Sequence, residues 1–157
     1  MHLGVAVNWS SFHVPRSGRW DARTLRSLDG RRRFACAIFP LPIDYPGGVD
    51  GFVEVADEYL QSAGSSSKMA LEVRRLETDG YRQYALGLAA DDDPRGADEV
   101  IAWDDHWVVV RSHEVWTAEQ AAPVFEHYIE SGGGLPEGLS LRPLELSRLV
   151  DEALGGV

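Results

Sequence analysis

Cysteine is nearly absent: Cys36 is the only one in 157 residues. A lone cysteine rules out an internal disulfide and any thiol-rich metal site, so a reducing, cytoplasmic setting is the expectation. Long apolar runs are missing too. No stretch approaches the roughly 18 apolar residues of a membrane span. Residues 1–7 lack both a basic n-region and a long apolar h-region, which makes them a poor signal peptide. Internal repeats and linkers are also missing, and 157 residues fit one domain that buries about two thirds of its unfolded surface.

Catalytic signatures are equally scarce. There is no G-x-S-x-G elbow, and Cys36 sits inside the apolar run 34–39, where burial would raise its pKa and blunt its reactivity. Five histidines are scattered at 2, 13, 106, 113 and 127, with no HxxxH or HExxH spacing. The nearest thing to a metal cluster is Asp104, Asp105, His106, His113 and Glu114, which reads better as a turn and a strand end. Asp91, Asp92 and Asp93 share only charge with a calcium loop, because Gly96 and Glu99 fall out of its register. Gly132–Gly134 follows a helical stretch instead of preceding one, so it offers no helix N-terminus to a phosphate. No catalytic, cofactor or metal residues are assigned, and the expectation is a protein that binds and is not an enzyme.

What is present is acid. The formal net charge is −10, and it is unevenly spread. Residues 1–47 hold seven Arg against three Asp, or +4, while residues 48–157 hold eight bases against 22 acids, or −14. An acidic surface repels nucleic acid and anionic membranes and attracts basic proteins. The same charge also serves plain solubility. Arg31-Arg32-Arg33 reads as a solvated loop or a set of internal salt-bridge partners.

Apolar periodicity predicts an α+β domain with a central antiparallel meander of about four to six strands, two main helices and a short C-terminal helix. Leu3–Val7 and Phe34–Phe39 read as strands, followed by an irregular loop at Pro40, Pro42, Pro46, Gly47 and Gly48. Apolar spacing from Asp50 to Ala63 predicts the first helix. Met69–Thr78 and Tyr81–Ala90 flank Asp79-Gly80, which predicts a type I′ hairpin with Thr78 facing Tyr81. One face collects Leu71, Val73, Tyr84, Leu86 and Leu88 as core. The other, with Glu72, Arg74, Thr78 and Gln83, is expected to be wet. Glu99–Trp103 and Trp107–Arg111 form a second hairpin. A three-residue loop would pair Ile101 with Val109, and a two-residue loop would shift that register. The two hairpins together make the meander.

Thr117-Ala118-Glu119-Gln120 matches a capping box that opens the second helix. Its inward stripe is Ala118, Ala121, Ala122, Phe125, Tyr128 and Ile129, with a kink or break expected at Pro123. Leu139–Leu146 adds a strand, and Ser147 caps a final helix to Leu154. Of the five tryptophans, Trp103 and Trp107 bracket an acidic turn, pairing large rigid surfaces with charge as binding hot spots do. Core packing is the other role open to each of them.

The stretch 114–128, EVWTAEQAAPVFEHY, followed by 135–146, LPEGLSLRPLEL, resembles the tail of immunity proteins of actinobacterial polymorphic toxin systems. The similar type is the one paired with NAD-hydrolysing toxins such as tuberculosis necrotizing toxin. The likeness covers about residues 69–146. It implies a cytoplasmic inhibitor that binds the catalytic domain of its cognate toxin and occludes the active site, and it carries over no catalytic residues. The partner-binding residues expected on this reading are Asp91, Asp92, Asp93, Trp103, Asp104, Asp105 and Trp107. A small ligand-binding domain or enzyme, using a pocket between helix 50–63 and the sheet, is an alternative. A secretion chaperone or adaptor is another.

Overall fold

A computed structural model describes residues 2–8, 10–13, 20–41, 57–88 and 97–145 of the chain. Within these residues the protein is α+β, built in three layers. The middle layer is a seven-stranded antiparallel sheet in the order β2-β1-β3-β4-β5-β6-β9. Its strands are β1 (His2–Val7), β2 (Ser10–His13), β3 (Ala35–Leu41), β4 (Tyr59–Ser65), β5 (Lys68–Glu77), β6 (Gly80–Gly87) and β9 (Ser140–Leu144). One face carries the helices α1 (Arg23–Arg26) and α2 (Ala118–Glu130). The other face carries a separate two-stranded sheet, β7 (Asp98–Trp103) with β8 (His106–Arg111). The second hairpin therefore does not extend the first into a meander; it folds across it as a third layer. No helix among the described residues is long and apolar enough to cross a membrane.

Two cores result. Under the helices, Leu25, Leu28, Cys36, Ile38, Leu60, Leu71, Val73 and Leu86 pack on Ala118, Ala121, Phe125 and Tyr128, with Trp116 beside them. Trp20 stacks on Phe125 with ring centroids 5.4 Å apart. Under the hairpin, Ala63 and Ala70 meet Ile101, Trp103, Val108 and Val110. The small residues of β4 and β5 let the hairpin backbone come close, and Trp103 fills the space that remains.

The third layer overturns two expectations. Tyr59–Ser65 is a strand, not the end of a helix spanning 50–63. Covered on both faces, this strand buries Gln61 and Ser62 beside Leu60 and Ala63, so it lacks the apolar–polar alternation that marks a half-buried strand. Residues 50–56 lie outside the described residues. Likewise Glu72 and Gln83, expected on a wet face, are buried, Glu72 beside Val108 and Val110 of the hairpin. Glu72 is accommodated by accepting a hydrogen bond from Gln61 Nε2 at 2.9 Å, the partner that a buried acid requires.

The β5–β6 hairpin closes on Thr78-Asp79, with Glu77 facing Gly80. Neither turn residue has positive φ, and Gly80 alone does, at +126°. The type I′ turn expected around Asp79-Gly80 needs two positive φ values and is not formed. Arg82 anchors the turn through an ion pair to Asp79. The pairing differs by two residues from the one expected, so no side chain changes face, and Leu71, Val73 and Leu86 still enter the core.

Helix α2 follows its sequence signals. Thr117 Oγ1 accepts the Gln120 N–H and Gln120 Oε1 accepts the Thr117 N–H, completing the capping box. The Gly133 N–H closes the other end on the Tyr128 carbonyl at 2.8 Å. Pro123 neither breaks nor ends the helix, which runs through it. Both Pro123 and Glu119, whose carbonyl lacks its usual donor, are exposed. The expected strand at 139–146 is β9, which pairs with β6. The helix expected at 147–154 and the loop at 42–48 lie outside the described residues.

Candidate functional site

The outer face of β7–β8 is where the described surface departs most from an ordinary solvated one. Pairing sets Trp103 against His106, so the loop is the two-residue Asp104-Asp105. Asp104 takes φ +50°, a left-handed conformation that its short polar side chain tolerates. The register puts Glu99, Ile101, Trp103, Val108 and Val110 on the face toward the large sheet. Val100, Ala102, Trp107 and Val109 fall on the opposite face. Trp107 is 59% exposed and Val100 52%, and in the register Trp107 lies opposite Ala102 and Val109 opposite Val100. Asp98 and Arg111 pair at the open end of this face, and Asp104 and Asp105 form its closed end, all four exposed.

The structure sorts the expected binding residues. Trp107, Asp104 and Asp105 come together at one end of the hairpin surface. Trp103 does not join them, being fully buried in the second core. A three-residue loop would set Trp103 opposite Trp107 on one face, whereas the two-residue loop puts them on opposite faces. Asp91, Asp92 and Asp93 lie outside the described residues. Sequence reasoning missed Val100, Ala102 and Val109, the apolar neighbours of Trp107. They follow from the two-residue loop, one of the two registers that the sequence left open. It also missed a second exposed apolar pair, Leu76 opposite Tyr81 on the first hairpin. There the Arg74 guanidinium lies 5.1 Å from the Tyr81 ring centroid, which covers part of the ring.

Among the described residues, Cys36 and Glu114 are held in the interior. Cys36 is buried, and burial pushes its thiol up to about 12. Glu114 is buried in a bidentate ion pair with Arg142, at 2.8 and 2.9 Å, and also accepts the Arg111 N–H at 2.8 Å. Burial works to raise the Glu114 pKa, but the Arg142 hydrogen bonds, the Arg111 N–H and the Arg142 charge outweigh it, and the net shift is downward. His106 sits 3.8 Å from Asp105 at the surface. Among the described residues no three His, Cys, Asp or Glu side chains are grouped to hold a metal ion. Of the helix 50–63 expected to line a pocket against the sheet, Tyr59–Ser65 is itself part of the sheet, and residues 50–56 lie outside the described residues. One small cavity, about 10 Å³, lies between the layers beside Glu72, Glu114 and Arg142, room for about one water molecule.

Comparison with protein-family models, with curated proteins and with solved structures finds no match.

Proposed function

We propose that this chain works by binding another folded protein through the outer face of β7–β8, with Trp107 as the anchor. The observation that carries the reading is the apolar group Val100, Ala102, Trp107 and Val109, standing out from a sheet whose inner face is already filled. A tryptophan with more than half its surface in water has no packing reason to be there. At an interface it supplies a large rigid contact at low entropic cost. The partner sets a basic surface against Asp104 and Asp105, as the −10 net charge of the chain favours.

The finer reading is an immunity protein that occludes the catalytic domain of a cognate secreted toxin, in the cytoplasm of the producing cell. Resemblance of residues 114–146 supplies that identity, and the unmatched acidic surface with its aromatic anchor is compatible with it. Co-expressing the chain with the product of the neighbouring gene tests it. The expected result is a toxic product that becomes harmless and is retained on the tagged chain. A neighbour that is neither toxic nor retained overturns the toxin reading.

A further inference from the structure

Resting on the reading of β7–β8 as a binding face, we infer that Arg31–Arg33 belong to the same face, and that the partner sets an acidic segment against them. The two segments are 70 or so residues apart in sequence, yet the Asp104 N–H donates to the Gly30 carbonyl at 2.6 Å. The space beside the Gly30 Cα opens on the Ala102 carbonyl, 3.7 Å from where a Cβ would sit. The arginines thus follow directly on the residue that touches the closed end of the hairpin. Trp107 lies across from Ala102 on that hairpin.

The loop is held in shape from within. Asp29 Oδ1 accepts the backbone N–H groups of Arg31, Arg32 and Arg33 at 2.8, 2.8 and 3.0 Å. The N–H groups of Asp29 and Gly30 both donate to the Arg33 carbonyl. From the other side Asn8 donates to the Arg32 carbonyl and accepts the N–H groups of Phe34 and Ala35. These backbone hydrogen bonds, that of Arg33 first, hold the Asp29 carboxyl below its ordinary range. Its charge is directed at the backbone, and the three guanidiniums are left exposed, forming no ion pair among the described residues.

Among the described residues these three consecutive cations have no ionic partner, in a chain with 25 acids. Asp104 and Asp105 stand on the adjoining segment and pair with none of them. Opposite charges on adjoining segments of a fixed scaffold, joined to the hairpin that carries the exposed Trp107, match a partner whose surface carries both signs around an apolar centre. A nucleic acid fits less well, because its phosphates would meet Asp104 and Asp105 together with the arginines.

A disulfide-constrained random peptide library, selected on the full chain, supplies the probe. Recovered peptides are then titrated by fluorescence anisotropy against the wild type, Trp107→Ala, and the triple variant Arg31→Glu, Arg32→Glu, Arg33→Glu. The expected result is a set of peptides carrying Asp or Glu beside apolar residues, with affinity reduced about tenfold or more by either change. The triple replacement by Ala serves as the second variant, with a smaller loss in the same direction and an unchanged circular dichroism spectrum. Peptides that need Trp107 but ignore the arginines overturn this inference alone. Peptides that ignore Trp107 overturn the binding-face reading beneath it. A single-stranded oligothymidylate that binds the wild type and is lost in the triple variant, at about 0.15 M salt, assigns the arginines to nucleic acid and also overturns the inference.

Discussion

Single side chains already separate structural roles from functional ones. Glu114 and Arg142 tie the end of β8 to β9, and their charges are spent on each other. Removing one partner of a buried pair leaves the other uncompensated, so Arg142→Met is expected to cost about 3–5 kcal/mol in urea unfolding. The pair also sets a pH dependence. The folded-state pKa of Glu114 lies below its ordinary value of 4.5, so its contribution is complete above the unfolded value and is lost as pH falls through the folded one. Stability should therefore decline on acidification below about pH 4.5, and less steeply in Glu114→Gln. Cys36 gives a second check. With its thiol pushed up to about 12, native protein is expected to resist iodoacetamide at about pH 8 and to be labelled once unfolded. Rapid labelling of the native chain would contradict the burial of β3.

At the scale of elements, what could be read from the sequence was whatever local chemistry determines. The capping box, the helix stripe and the core-facing half of the β5–β6 hairpin depend on neighbours a few residues away, and all were legible. Thr117→Ala is accordingly expected to cost about 1 kcal/mol. What could not be read depended on the third layer. Nothing in Glu72 announces a hairpin lying over it, and a doubly covered β4 reads as a helix because its two-residue alternation is erased. Gly64 is closed in from two sides: a Cβ there would lie 2.4 Å from the Lys68 carbonyl oxygen and 2.9 Å from the Met69 Cα of β5, and 3.0 Å from Ile101 Cγ2 of the third layer, at φ +128°. Gly80 has a similar φ of +126° with nothing within 4 Å. Gly64→Ala should therefore destabilise by about 2–4 kcal/mol, through clash added to strain. Gly80→Ala should cost about 1–2 kcal/mol, through strain alone. Equal losses in chemical denaturation would contradict the close approach of the β5 backbone and of Ile101 to Gly64.

The chain is acidic as a whole, and among the described residues two cores are filled while the outer side of the β7–β8 hairpin is left apolar. Half of the candidate site was legible in sequence: an acidic turn bracketed by tryptophans drew notice. Which tryptophan is the anchor depended on a one-residue register, and the approach of Arg31–Arg33 depended on a tertiary contact that no local pattern encodes. Because the partner is expected to be basic opposite the turn, its association rate should fall as salt rises. The most direct test of the binding-face account is a calorimetric titration of the purified neighbouring-gene product into wild-type chain and into Trp107→Ala. Trp107 is largely solvated, so both chains should have the same melting temperature. The account expects one-to-one binding to the wild type and a loss of about 30-fold or more in the variant, the scale of a hot-spot residue. Equal affinity for the two chains would contradict it.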